Sequence, residues 1–225
     1  MRRDNQAESQ GGKEVTIPVD TVSLKGTLAV PERAGGVVVF AHGSGSSRLS
    51  PRNNYVASVL RQEGIGTLLF DLLTESEDEA YERRFDIELL TQRLVASTRW
   101  LQARPEIQGM RIGYFGASTG AAAALRAAAI LGSSAVSAVV SRGGRPDMAS
   151  PVLSQVSVPT LLIVGGKDQP VILLNRQAYT ELKGEKELVI VPGASHLFEE
   201  PGKLEEVARL ATRWFKHYLD GTVAE

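Results

Sequence analysis

The sequence predicts an α/β fold, a mostly parallel central sheet with helices on both faces and no large cap domain. Short β-branched runs without polar alternation recur along the chain, as in strands buried on both sides. Between them lie longer stretches whose apolar residues repeat at helical spacing. The 225 residues suffice for one large domain whose core needs no covalent staples.

Residues 1–14, MRRDNQAESQGGKE, are polar and glycine-rich. They read as a mobile tail, which leaves 15–220 as a single domain. Val15–Val19 and Val22–Val30 form a hairpin turning at Asp20-Thr21. Strands are expected at Val37–Ala41, Thr67–Asp71, Arg111–Phe115, Val136–Ser141, Thr160–Val164 and Leu188–Val191. Ser50-Pro51 reads as the cap and first residue of a helix through Leu60. Glu82–Ala103 carries a helical stripe at Ile87, Leu90, Leu94, Ser97 and Leu101. The final helix shows one at Leu204, Val207, Ala208, Ala211, Trp214, Phe215 and Tyr218. The stretch between Ser141 and Val158 holds about one short helix, so the site should be shallow and open. The acidic run Glu75–Glu79 reads as a solvated loop rather than a gate.

Composition excludes several classes. There is no cysteine, hence no disulfide, thiolate metal site or thiol nucleophile. A formal net charge of −1 argues against nucleic acid or an anionic membrane as partner. Ala121–Leu131 is apolar, but Arg126 interrupts it and it is too short to span a bilayer. No apolar stretch follows the opening arginines, so no secretory signal is read. A soluble, cytoplasmic monomer or small homo-oligomer is expected, acting on a small molecule without metal or cofactor.

Ligands of parallel sheets bind beyond the carboxyl ends of the strands. After Arg111–Phe115 comes Gly116-Ala117-Ser118-Thr119-Gly120 and then an alanine-rich helix. This is G-x-S-x-G between strand and helix, a turn so sharp that the serine hydroxyl is pushed out. Side chains two positions either side would collide, which the glycines prevent. Asp168 follows Thr160–Val164 in Gly165-Gly166-Lys167-Asp168. It could simply cap the next helix, but it also stands where an acid orienting the base would lie, with Asp147 as the reserve. His196 closes Pro192-Gly193-Ala194-Ser195-His196 after the last strand. Of the three histidines, His42 belongs to a strand-end loop and His217 to the last helix, so His196 is the candidate base.

The order Ser118, Asp168, His196 is that of the α/β-hydrolase fold. In that fold the loop after the Val37–Ala41 strand and the residue after the nucleophile donate backbone N–H groups to the oxyanion. By position these are Ser44, in His42-Gly43-Ser44-Gly45-Ser46-Ser47, and Thr119. A phosphate-cradling role for that loop would need a P-loop lysine or dinucleotide spacing, and it has neither. His42 is expected to brace the loop. Arg48, Arg142 and Arg145 lie near these strand ends and are candidates for binding a substrate carboxylate, against a plain structural role.

Through HGSGSSR at His42–Arg48, GASTG at Gly116–Gly120, GGKD at Gly165–Asp168 and GASH at Gly193–His196, the chain resembles the dienelactone hydrolase-like group of serine hydrolases from about Val15 to Leu219. Members of that group with a G-x-C-x-G motif use a cysteine; here Ser118 stands in its place. A carboxylesterase for small, short-acyl esters is therefore the expectation. A lactone hydrolase or an acyltransferase or perhydrolase on the same triad are the alternatives. A non-catalytic binding module is the remaining one, although such a module would be expected to have lost triad members.

Overall fold

The computed structural model describes residues 12–220. Residues 1–11 of the tail expected at 1–14 lie outside the described residues, whereas Lys13 and Glu14 already pair with Leu28 and Thr27. The hairpin is β1 (Lys13–Val19) and β2 (Val22–Ala29), turning at Asp20 with a positive φ of 49°. Then come β3 (Gly36–Ala41), α1 (Pro51–Gln62), β4 (Gly66–Phe70) and the one-turn α2 (Glu75–Asp78). A 3₁₀ turn at Tyr81–Phe85 leads into α3 (Ile87–Gln102), followed by β5 (Arg111–Ala117) and α4 (Thr119–Leu131). The chain continues through β6 (Ala138–Arg142), a 3₁₀ segment at Pro146–Gln155, β7 (Thr160–Gly165), α5 (Gln169–Glu181), β8 (Lys186–Val191) and α6 (Lys203–Leu219).

The eight strands form one sheet in the order β1-β2-β4-β3-β5-β6-β7-β8. Its β1–β2 and β2–β4 pairs are antiparallel, and β3 to β8 pair in parallel throughout. Each face has its own core. On one, α1 and α6 lay Val56, Leu60, Val207, Ala211 and Phe215 against Val38, Phe40, Phe115 and Val140. On the other, α3, α4 and α5 pack Leu94, Ala123 and Ala178 against Val39, Tyr114 and Leu162. All six parallel strands run the same way, so the loops after Ala41, Phe70, Ala117, Arg142, Gly165 and Val191 meet along one edge.

Several element bounds shift, β8 beginning at Lys186 rather than Leu188 and β5 running on to Ala117. The helix expected over Glu82–Ala103 breaks at Asp86, whose carboxylate accepts the Leu89 N–H and caps α3 afresh. The strand expected from Val136 starts at Ala138 and runs on to Arg142. The Ser50 cap forms as expected, its Oγ accepting from the Asn53 amide. Only the short Pro146–Gln155 segment separates β6 from β7, so no large cap covers the strand ends.

Candidate active site

Ser118 joins β5 to α4 with φ 51° and ψ −120°. Such a conformation costs a non-glycine residue on the order of 1–3 kcal/mol and persists only where its surroundings enforce it. They do so here. The Ser118 N–H donates to the Arg142 carbonyl at 3.2 Å, and the Ser118 carbonyl accepts from the amides of Ala121 and Arg145, each at 3.1 Å. The flanking glycines are dictated by backbone contact. A Cβ at Gly116 would lie 2.4 Å from the Ala121 Cα, and one at Gly120 would lie 2.2 Å from the Ala41 carbonyl oxygen. Ala121–Ala124 are fully buried and bring α4 down onto the sheet. The half-exposed Ser118 hydroxyl stands at the helix N-terminus, which favours the negative charge that forms there.

Asp168 begins α5 but makes no capping bond with its side chain. Its Oδ2 lies 2.6 Å from Nδ1 of His196, with the carboxylate 12% exposed and the imidazole 38%. The two loops are laced together, the Lys167 amide donating to the Ala194 carbonyl at 2.9 Å. Gly143 connects this pair to Ser118: a Cβ on it would lie 3.4 Å from Cε1 of His196, and its neighbour Arg142 accepts from Ser118. The Ser118 hydroxyl itself makes no hydrogen bond among the described residues. Free hydrolase sites are often loose in this way and tighten around substrate. Asp147, the reserve acid, is held by Arg145 in a two-point fork at 2.8 and 2.7 Å.

Glu200 was not singled out from the sequence. Its carboxylate accepts from the Ser195 amide at 3.0 and 3.1 Å, from the Ser195 hydroxyl at 3.3 Å and from Lys167 Nζ at 3.3 Å. The Ser195 amide, then the backbone amide of Glu200 itself and the lysine, hold its pKa down at about 2. It thus ties the His196 loop to the Asp168 loop. No motif marks it, since only the folded chain brings it back onto Ser195.

The loop after β3 lies against the nucleophile, and a Cβ at Gly43 would come 3.1 Å from the Ser118 Cβ. His42 is buried, Nδ1 against the Gly43 carbonyl at 3.0 Å and Nε2 accepting from the Leu72 amide at 3.0 Å. Burial lowers its basicity, so the neutral ring braces the loop, as expected. The expected oxyanion donors Ser44 and Thr119 do come together. However, the Ser44 N–H points at the Thr119 Oγ1, 2.9 Å away.

The candidate arginines divide. Arg48 is paired to Asp71 at 2.7 Å and Arg145 to Asp147, so neither guanidinium is free for a substrate carboxylate. Arg142 is 6% exposed, stacks over Phe198 at 5.9 Å and has no carboxylate partner among the described residues. Its Nε is buried without a hydrogen bond. Burial, with Arg52 adding repulsion, lowers its pKa to about 10. The acidic run is folded rather than loose. Thr74 caps α2 in a reciprocal box with Glu77, while Glu75, Glu77 and Asp78 pair with Lys25, Arg93 and Arg84. It borders a cavity of about 200 Å³ beside the oxyanion loop, lined by His42, Ser46, Arg48, Asp71, Thr74 and Asp78 among others.

Among the described residues no group of three or more His, Cys, Asp or Glu could hold a metal ion, and no helix is long and apolar enough to cross a membrane.

The chain is similar to several known proteins. A dienelactone hydrolase from Anabaena variabilis is 57% identical with a TM-score of 0.89, over 93% of this chain and 99% of that one. Est1E from Butyrivibrio proteoclasticus matches in fold at 15% identity with a TM-score of 0.78, over 91% of this chain and 98% of that one. Two Mycobacterium tuberculosis proteins, provisionally named phosphoribosyl transferases, are 56% identical over 209 residues. That stretch is 93% of this chain but 47% of theirs, so the chain spans about half the length of these relatives. The family model for the dienelactone hydrolase family matches residues 24–220, and with the α/β-hydrolase fold in place the chain belongs to that family.

Proposed function

We propose that this domain is a serine carboxylesterase that cleaves small, short-acyl esters through an acyl-enzyme. The observation that carries the reading is the 2.6 Å contact of Asp168 with His196, set beside a serine held in the strained turn. Asp168 fixes the imidazole with its Nδ1–H donated and Nε2 left to take the Ser118 proton. The Ser118 oxygen then attacks the ester carbonyl, and backbone donors hold the oxyanion. His196 returns the proton to the leaving alcohol, and water repeats the cycle on the acyl-enzyme. The steps call for no metal or cofactor.

Small substrates follow from the open strand ends. With only Pro146–Gln155 between β6 and β7, there is little apolar wall to enclose a long chain, and each methylene left in water forgoes roughly 0.8 kcal/mol. The test is kcat/KM along a series of p-nitrophenyl esters. Acetate to butyrate should exceed octanoate and decanoate; a steady rise toward decanoate would contradict the open site.

A second reading, hydrolysis of an acidic ester or lactone, is favoured by Arg142, a buried cation with no carboxylate partner among the described residues. The name of the Anabaena variabilis protein points the same way. The transferase name of the M. tuberculosis proteins describes chains more than half of which lies outside the matched stretch. The proposal for this domain rests on the triad within it.

A further inference from the structure

In the fold, the amides of Ser44 and Thr119 are the two expected to face the oxygen of the reacting carbonyl. One of them is already occupied: the Ser44 N–H donates to the Thr119 Oγ1 at 2.9 Å. Thr119 is 2% exposed, and its hydroxyl makes no other hydrogen bond among the described residues. A hydroxyl has one donor and two acceptor sites. Here one acceptor site is filled and the proton is uncommitted, in a place from which water is nearly excluded. A buried donor left without an acceptor calls for an explanation.

From this we infer that the Thr119 side-chain hydroxyl is itself an oxyanion donor, and that the Ser44 amide acts through it rather than on the substrate. Ser118, Gly43, Ser44 and Thr119 crowd one spot, since a Cβ at Gly43 would come 3.1 Å from that of Ser118. Thr119 then contributes two donors, its backbone N–H and its Oγ1–H. The Ser44 N–H, donating to the same oxygen, polarises the hydroxyl and strengthens the bond it gives. The β-branched side chain has few rotamers, so the donor is set before charge develops.

The step balances without the threonine losing its proton. The Ser118 Oγ–carbon bond forms, the carbonyl π pair moves onto oxygen, and the serine proton passes to Nε2 of His196. The Thr119 O–H and N–H only hydrogen-bond the new oxyanion.

The inference rests on the esterase reading, and the experiment separates the two. Thr119→Val, Thr119→Ala and Thr119→Ser are compared with wild type on p-nitrophenyl acetate, and each is also titrated with a trifluoromethyl ketone, which forms the tetrahedral adduct. Thr119→Val and Thr119→Ala should each lower kcat by roughly 10²–10³, the usual loss for one oxyanion donor, with KM little changed. Ketone affinity should fall in parallel, and Thr119→Ser, which keeps the hydroxyl, should recover most of both. The smaller alanine guards against a valine that disturbs folding. If Ser44 were the direct donor, removing the hydroxyl would free its amide. A kcat at or above wild type in either the valine or the alanine variant would then overturn the relay and leave the esterase reading intact. A wild type inert toward every ester and toward the ketone would overturn both.

Discussion

The Asp168 carboxylate holds Nδ1 of His196 at 2.6 Å although the two residues stand on different strand-end loops. That distance marks a direct hydrogen bond between the acid and the imidazole. It favours Asp168 as the acid that serves the histidine, because Asp147 is engaged with Arg145 instead. Asp168→Asn should therefore lower kcat on p-nitrophenyl acetate by roughly 10²–10⁴ by favouring the wrong tautomer. Asp147→Asn should leave kcat within about threefold, a change of less than about 1 kcal/mol. Reversed results would show that the acid is misassigned.

Glu200 supports the same loop without touching the reaction. Glu200→Gln loses the charge that gathers the Ser195 amide, the Ser195 hydroxyl and Lys167. Even a 1 Å displacement of His196 can cost about 10² in rate, so kcat should fall by up to that factor with KM little changed. Because the folded carboxyl is depressed to about 2, it stabilises the fold above the ordinary glutamate range, and the stabilisation is lost as pH falls from about 4.5 toward 2. The protection of the Ser195 amide, its exchange rate relative to the intrinsic rate at each pH, should fall across that window in wild type and be low throughout in Glu200→Gln. Equal protection in both would remove Glu200 from the account.

Arg142 should read charge on the substrate. A desolvated guanidinium would gain a carboxylate partner from an acidic ester, and hydrogen bonds to charged groups are worth about 1.5–3 kcal/mol. Arg142→Met should raise KM for a hemisuccinate ester roughly tenfold or more while leaving a neutral ester of similar size unchanged. Arg145→Ala should change neither. Equal effects of Arg142→Met on both esters would make it a purely structural residue.

The strands were legible because strands buried on both faces admit little but β-branched and other apolar residues, and Val37–Ala41 and Thr160–Val164 have no other reading. The three candidate triad residues stood out because each sits at a strand end within a short motif. The break at Asp86 was missed because the stripe from Ile87 to Leu101 continues a plausible polar run before it, and the cap outranked the period. Glu200 and the Thr119 hydroxyl were not legible in their roles. Each depends on a partner or a gap that only tertiary structure creates; Ser44 and Thr119 are 75 residues apart. The arginine candidates show the same limit, since nothing local in the sequence told the paired Arg48 from the unpaired Arg142.

The central claim is that Ser118 is the nucleophile. Intact-protein and peptide mass spectrometry after reaction with a fluorophosphonate tests it most directly. Wild type should gain a single phosphonyl adduct on Ser118 and lose ester hydrolysis in proportion. Ser118→Ala should fold with the same melting temperature, take up no adduct and show no hydrolysis above background. An adduct on another residue, or full hydrolysis by Ser118→Ala, would contradict the account.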